Sequence, residues 1–490
     1  MAKLTTQAGG VSLGRGVAAL AGLATAMVLS RWLSPDDYGT YRQIWLVFFT
    51  LAPIFELGIP PSVSFFVPQL PRENLKRYFV QNGLALLVSG SLVALALLTL
   101  AEPLARLFGN PALITALRAF ALFPALTLPF HMTENALVAL GRAGRAGLVS
   151  GTAALLQSAV ILLAFFSGAS LERVFFYVSL WALLRWLCVT AGLFYGLRGQ
   201  SLRWDRRELG RQLWFALPMG AAAMVGLLSR QVDKLIVSAN FPPERYAIYA
   251  NGSYDIPLIN VLTLSVTAVL VPALVRANAA GDTAEIRRLW HGAARRMAWL
   301  FFPAFCFLFV AARPLMVFLF SPAYAESAGP FRVLLFLLPL RILFHGGFLR
   351  ALGRTRPIFY ASAGSLLISI VLALLLVRVR PLGFLGPAMG SVAGAYGSVL
   401  VAIHVVSRHL GWRWRDYFPW RTLGGIMAVA IAAALPTAVL AWTLRGSSAL
   451  LQLLLLGGAY ASVYLILGQA TGAARPREWI EAIGDLLRQR

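Results

Sequence analysis

The chain states one pattern twice. SRWLSPDDYGTY, from Ser30 to Tyr41, is answered by SANFPPERYAIY, from Ser238 to Tyr249, at an offset of 208 residues. Ser30, Pro35, Asp36, Tyr38 and Tyr41 meet Ser238, Pro243, Glu244, Tyr246 and Tyr249 in order. Ala139-Leu140-Gly141-Arg142 returns as Ala351-Leu352-Gly353-Arg354 at an offset of 212, and Glu102-Pro103-Leu104 meets Arg313-Pro314-Leu315 at 211. Three matches at nearly one offset imply two homologous halves of about 200 residues each. Paired bundles of this kind are a common plan in membranes, with a path between the halves.

That the setting is a membrane follows from composition. Hydrophobic residues make up 59% and charged residues only 13%, against about 25% charged in a soluble domain. The net charge of +24 is nearly all Arg, with Lys only at Lys3, Lys76 and Lys234. So basic a chain invites a nucleic-acid reading. Here, however, the charge sits in short loops between apolar runs, as the positive-inside rule requires, and nucleic acid is not an expected partner. Cys188 and Cys306 lie inside apolar spans, so neither a disulfide framework nor a metal-ligand spacing exists. Ala24-Thr25-Ala26 resembles a signal cleavage site, but the apolar run before it is short and bordered by Arg15, which argues for an uncleaved first helix.

Apolar stretches of spanning length fall at 10–33, 40–67, 78–101, 116–140, 146–168 and 174–197, then at 213–238, 246–275, 296–312, 331–352, 358–377 and 387–407, with two more at 422–443 and 447–468. The expected fold is an all-α polytopic membrane protein of about fourteen spans. Residues 1–200 form an N-terminal six-helix lobe, 201–212 a cytoplasmic linker, 213–410 a C-terminal six-helix lobe and 411–468 two accessory transmembrane helices. In the remaining tail, 469–490, Trp479, Ile480, Ile483, Leu486 and Leu487 recur at helical spacing, which suits a cytoplasmic segment lying on the membrane surface. Arg crowds the even-numbered loops, from Arg72, Arg142 and Arg145 through Arg203, Arg287 and Arg354 to Arg413, while the first loop carries Asp36 and Asp37. Both termini should therefore be cytoplasmic, and the repeat parallel. Prolines such as Pro53, Pro60, Pro129 and Pro218 interrupt several spans. They read either as ordinary tolerance or as hinges that let the lobes rock.

An ionisable side chain at bilayer depth costs about 2.5–3.5 kcal/mol even on a lenient scale, so it persists where it faces a cavity or a partner. Arg230, Asp233 and Lys234 are the sharpest set, because positions i, i+3 and i+4 share one helical face. They make either a self-neutralising group whose long side chains snorkel outward, or a cationic patch suited to phosphate or pyrophosphate. Arg15, Arg185 and Arg341 are further candidate substrate cations. The in-membrane acids Asp233, Asp255, Glu56 and Glu134 are candidate proton or sodium sites, each with a helix-locking salt bridge as the plainer alternative. His131 and His345 read as hydrogen-bonded packing residues. No GxxxxGK[ST], GxSxG or HExxH motif occurs and the loops are short, so neither an enzyme nor a cofactor is expected.

At SRWLSPDDYGTYRQIW and QVDKLIVSANFPPERYAIYANGSYDI the chain resembles the polysaccharide transporter family. These are Wzx-type flippases of lipid-linked oligosaccharides, including O-antigen units, within the multidrug/oligosaccharidyl-lipid/polysaccharide exporter superfamily. The family's Leu-x-Pro-x-x-(Phe/Tyr)-Gly-x-(Tyr/Phe) turn is Leu33 to Tyr41 here, its Asp-(Lys/Arg)-hydrophobic run is Asp233-Lys234-Leu235-Ile236, and Gly141-Arg142 and Gly353-Arg354 fit its helix ends. The second turn departs at Ala247, where the first has Gly39.

The resemblance implies a MATE-like fold and the movement of an undecaprenyl-pyrophosphate-linked oligosaccharide across the bacterial inner membrane by alternating access, driven by a proton or sodium gradient. Arg230 and Lys234 would hold the pyrophosphate. A polysaccharide polymerase and chain-length proteins are the partners implied. The competing reading is an ion-coupled multidrug/cation antiporter of the same fold, which calls for an acidic cavity. A twelve-helix facilitator is disfavoured by PQLPRENLKR after the second span, and a membrane glycosyltransferase by the lack of a large outer loop.

Overall fold

The computed structural model describes residues 2–200, 202–254, 256–343, 345–354 and 356–471. Of the surface tail expected over 469–490, everything beyond 471 lies outside the described residues, as does Asp255. Among the described residues all regular structure is helical, and packing divides the chain into two compact units, Met1–Ala247 and Ile248–Arg490.

In the first unit the helices are α1 (Ala2–Trp32), α2 (Pro35–Phe55), α3 (Ile59–Phe66), α4 (Leu75–Thr99), α5 (Ala101–Leu107), α6 (Leu113–Phe120), α7 (Leu122–Ala139), α8 (Ala143–Phe166), α9 (Leu171–Gly196), α10 (Arg206–Leu228), α11 (Val232–Asn240) and α12 (Pro243–Gly252), the last crossing into the second unit. The second unit continues with α13 (Pro257–Ala279), α14 (Thr283–Val310), α15 (Ala312–Phe320), α16 (Ala328–Leu335), α17 (Leu337–Leu340), α18 (His345–Ala351), α19 (Arg356–Leu376), α20 (Gly386–Leu410), α21 (Trp414–Tyr417), α22 (Trp420–Thr443) and α23 (Ala449–Ala470).

Eleven helices among the described residues are long and apolar enough to cross a membrane. Two bent pairs, α2 with α3 at 42° and α6 with α7 at 45°, bring the number to thirteen if each is one span. The remaining expected span, 246–275, falls mainly on α13, of which Val269–Ala279 is described as a shorter apolar helix.

The repeat has a structural cause at each match. Pro35 and Pro243 open α2 and α12, where a fixed φ suits the first turn and no donor is lost. Gly141 (φ 73°) and Gly353 (φ 69°) end α7 and α18 in the left-handed region. In both, the following Arg N–H bonds five residues back, Arg142 to Leu137 O at 2.7 Å and Arg354 to Leu349 O at 2.9 Å. The two ALGR motifs are thus the same helix-closing turn. Glu102-Pro103-Leu104 and Arg313-Pro314-Leu315 lie in the short helices α5 and α15, which the spans alone do not show.

The first unit packs Trp45 among Phe48, Phe120, Phe123 and Phe175, ring centroids 5.5–6.2 Å apart. In the same unit α1 packs closely on α8. A Cβ on Gly147 would strike the Gly10 carbonyl, and one on Gly14 would strike the Gly147 carbonyl. Lipid offers no hydrophobic drive for helix pairing, so small residues that let backbones touch take that part. In the second unit, fully buried Trp290 stacks on Phe348 at 4.3 Å and donates its indole N–H to Tyr417 O at 2.9 Å, which seats α21 on α14. The accessory helix α22 packs on α14 and α23.

Candidate functional site

The seventh span is broken where its charges lie. α10 ends at Leu228, the chain turns through Ser229–Gln231, and α11 restarts at Val232. Arg230 therefore lies in a turn and does not share a helical face with Asp233 and Lys234, which corrects the expectation from spacing. The turn itself, Ser229–Gln231, holds no proline or glycine, and Gly226 stands in the last turn of α10, three residues before it.

The break organises the charges by itself. Lys234 Nζ donates to the Arg230 carbonyl at 2.8 Å and lies 4.0 Å from Asp233 Oδ1. A cation thus closes the C-terminal end of α10 and an acid sits in the first turn of α11, each complementing a helix dipole. Asp233 is buried, Lys234 half-buried and Arg230 exposed. Close by, Tyr246 feels the charges of Asp233 and Arg42, and Arg42 Nη1 donates to the Tyr38 hydroxyl at 2.9 Å.

Here the two repeated turns meet. A Cβ on Gly39 would strike the Pro243 carbonyl, which explains glycine at 39. Gln43 Nε2 donates to Ser238 Oγ at 2.9 Å, and Asn110 Nδ2 donates to Gln43 Oε1 at 2.7 Å and to Thr40 Oγ1 at 2.8 Å. All four side chains are buried. Of the four, the sequence marks Ser238 alone, as a position of the repeat, because uncharged polar residues in apolar spans carry no periodic signal. Gln43 lies two residues after the first repeated element, Thr40 inside it, and Ser238 opens the second, a placement that becomes informative only once the two turns are seen to touch.

A second polar stripe runs along α7. Thr127, His131 and Glu134 recur at i, i+4 and i+7 and so face one side. Thr127 Oγ1 accepts from Arg185 Nη2 at 3.0 Å, with the Arg185 guanidinium 4.1 Å from the Phe130 ring centre. Arg185 is buried, and its Nε has no hydrogen-bond partner among the described residues. His131 Nδ1 lies 2.6 Å from Glu56 Oε1. Glu134 accepts from Arg15 Nε at 2.8 Å and from Ser150 Oγ at 2.9 Å. His131, read from sequence as a hydrogen-bonded packing residue, has a carboxylate as its partner. Arg341 belongs to the second unit, half-buried in a single 3-10 turn, Arg341–Leu343. The structure thus places Arg230, Asp233 and Lys234 at one break, and brings Glu56 of α2 and Arg185 of α9 to the α7 stripe that carries His131 and Glu134.

Many apolar helices, with charges gathered at the α2–α3 and α10–α11 breaks, define a multi-pass membrane protein. Residues 28–329 match the family model described as polysaccharide biosynthesis protein, and the chain belongs to that family. No curated protein matches it. Among solved structures it is similar to a lipid II flippase, MurJ, in an inward closed conformation, at 14% identity and a TM-score of 0.75, over 94% of this chain and 98% of that one. It is also similar to an inward-facing multidrug resistance MATE family transporter of the MOP superfamily, at 16% identity and TM-score 0.67, over 80% and 94% of the two chains. A MOP superfamily transporter from Pyrococcus furiosus matches at 16% identity and TM-score 0.60, over 84% and 95%. These likenesses show a shared fold.

Proposed function

We propose that this protein is a flippase. It carries an undecaprenyl-pyrophosphate-linked oligosaccharide from the cytoplasmic to the outer leaflet of the bacterial inner membrane, for O-antigen, capsule or exopolysaccharide synthesis. The observation that carries this reading is membership of the polysaccharide biosynthesis family in a chain with the fold of a lipid II flippase. The charges agree with it. Glu56 and Glu134 are each bonded to a base, whereas Arg230 is exposed at a helix break. An exposed guanidinium suits a pyrophosphate, which accepts planar paired hydrogen bonds. A multidrug antiporter, the second reading drawn from the same fold, needs exposed acid instead.

Transport proceeds by alternating access of the two homologous halves, coupled to an ion gradient, with the lipid tail remaining in the bilayer. A polymerase and chain-length proteins receive the product. The test is reconstitution of the full chain in vesicles with a fluorescent polyprenyl-pyrophosphate sugar. Protein-dependent transfer between leaflets is expected, and the same lipid lacking phosphate should stay where it is. Transport of cationic dyes with no lipid transfer would establish the antiporter instead.

The Arg distribution puts both termini in the cytoplasm. Reporter fusions at Met1 and at Arg490 are expected to report cytoplasmic, and an external signal at either end would overturn the orientation.

A further inference from the structure

α2 breaks beside the one histidine–carboxylate contact among the described residues of the first unit's spans. Glu56 is the residue that ends α2, and its N–H bonds to Ala52 O at 2.9 Å. Leu57 (φ 54°) and Gly58 (φ 70°) follow in the left-handed region, and α3 restarts at Ile59 with Pro60 and Pro61 behind it. A leucine in that region is strained and persists only where its surroundings hold it there. Two contacts hold this break. Ser89 Oγ donates to Phe55 O at 2.6 Å, which satisfies a carbonyl the break would leave open. His131 on α7 grips the Glu56 side chain at 2.6 Å.

The break is also keyed to the seventh span. A Cβ on Gly58 would strike the Ala216 carbonyl, and one on Gly220 would come within 2.6 Å of Gly58 N. Backbone lies on backbone, with no side chain between to absorb movement. α10, which carries Gly220, runs on to the turn that holds Arg230.

We propose that Glu56 and His131 form a proton-binding pair that sets the geometry of the helix 2 break, and that the Gly58–Gly220 contact passes this setting to α10. With one proton added, an imidazolium donates Nδ1–H to a carboxylate, and the pair is neutral. When that proton leaves to water, a neutral imidazole faces a carboxylate whose charge is no longer balanced. The strap across the strained break then weakens. No bond other than N–H is made or broken.

The charged neighbours are few. On α7, Glu134 is paired with Arg15 of α1. On α9, Arg185 lies on Thr127 and Phe130, one turn before His131. α3 carries no charge. α4 holds Lys76 and Arg77 at its start, with Tyr78 next to them. α8 holds Arg145 in its first turn, and the charges of α10 lie between Arg206 and Arg211. On α2 itself Arg42 bonds Tyr38 at the far end, and on α6 Arg118 bonds Glu102. On α11, Lys234 sits with Asp233.

This assignment deepens the transporter reading, on which it rests, and puts proton coupling on α2 and α7, at one of the four acids the sequence offered. Its test needs no substrate. Nitroxides are placed at exposed positions on either side of the break, through Phe49→Cys and Ser64→Cys in a full-length chain with Cys188→Ser and Cys306→Ser, and the protein is held in lipid nanodiscs. The label separation is measured by pulsed electron resonance across the imidazole range, about pH 5 to 8. A pH-dependent shift of several ångströms is expected in the parent, lost in both Glu56→Gln and His131→Gln and kept in Asp233→Asn. Glu56→Asp, which keeps the acid, is expected to restore a shift if Glu56→Gln fails to fold. A flat parent, or a shift that survives both Gln variants, overturns the proposal. Lipid transfer in vesicles is the separate arm. If the labels move as expected but no lipid-linked sugar is transferred, the proton pair stands and the flippase reading falls.

Discussion

Arg230→Ala is expected to abolish surface glycan while leaving the protein in the membrane at near-normal level, and Lys234→Ala to do the same with some loss of protein. The difference follows from the geometry. The Arg230 side chain is exposed, and it is the backbone that takes part in the fold, its N–H donating to Leu227 O at 3.0 Å and its carbonyl accepting from Lys234 Nζ at 2.8 Å. Removing the guanidinium leaves both bonds intact. Hydrogen bonds to charged groups contribute about 1.5–3 kcal/mol each. Losing one cation should therefore weaken pyrophosphate binding by roughly ten- to a hundredfold, and losing a paired contact by more. Lys234→Ala also leaves the Arg230 carbonyl without its donor at the end of α10, which costs about 1–3 kcal/mol of stability. Surface glycan by immunoblot, set against protein level in the same membranes, reads both effects. Wild-type export in both variants would leave the two cations as helix-end groups and nothing more.

Gly147→Leu is expected to remove folded protein from the membrane altogether. Inserting extra carbons into a packed interior typically costs about 1–3 kcal/mol, because side chains can shift. At Gly147 nothing can shift cheaply, since the obstacle is the Gly10 carbonyl of another helix. The substitution must part α1 from α8 along a seam where Gly14 meets Gly147 in the same way. Gly144→Leu is the control. A Cβ on Gly144 meets nothing within 4 Å, and this variant should accumulate near the wild-type level. Fluorescence-detected size exclusion of tagged variants reads the outcome. A monodisperse Gly147→Leu peak of normal height would show that the close approach does not hold the helices.

The spacing of the glycines on this seam was present in the sequence, as Gly10-x-x-x-Gly14 and Gly147-x-x-x-Gly151, but nothing in either stretch names its partner. The same holds for the charges. Arg15 and Glu134 are legible separately as costly residues in apolar spans, and 119 positions separate them. Their pairing depends on how α1, α7 and α8 are packed. His131 looked like a packing residue because a lone histidine carries no sign of its neighbour, and its neighbour Glu56 is 75 positions away.

What the sequence determined by itself is what short-range physics controls. Hydrophobic length sets the spans, because every backbone polar group in lipid must bond within its own helix. Proline at 35 and 243 and glycine at 141 and 353 set helix starts and stops, because those residues act through their own φ angles. The duplication follows from the same signals read twice. The tertiary structure alone decided where the seventh span breaks, since no proline or glycine marks that turn and the three charges would otherwise have shared one helical face. It also decided which acids face a base and which cation stays exposed. Charge pairing in a membrane depends on helix faces brought together from distant parts of the chain, and no local pattern encodes that contact.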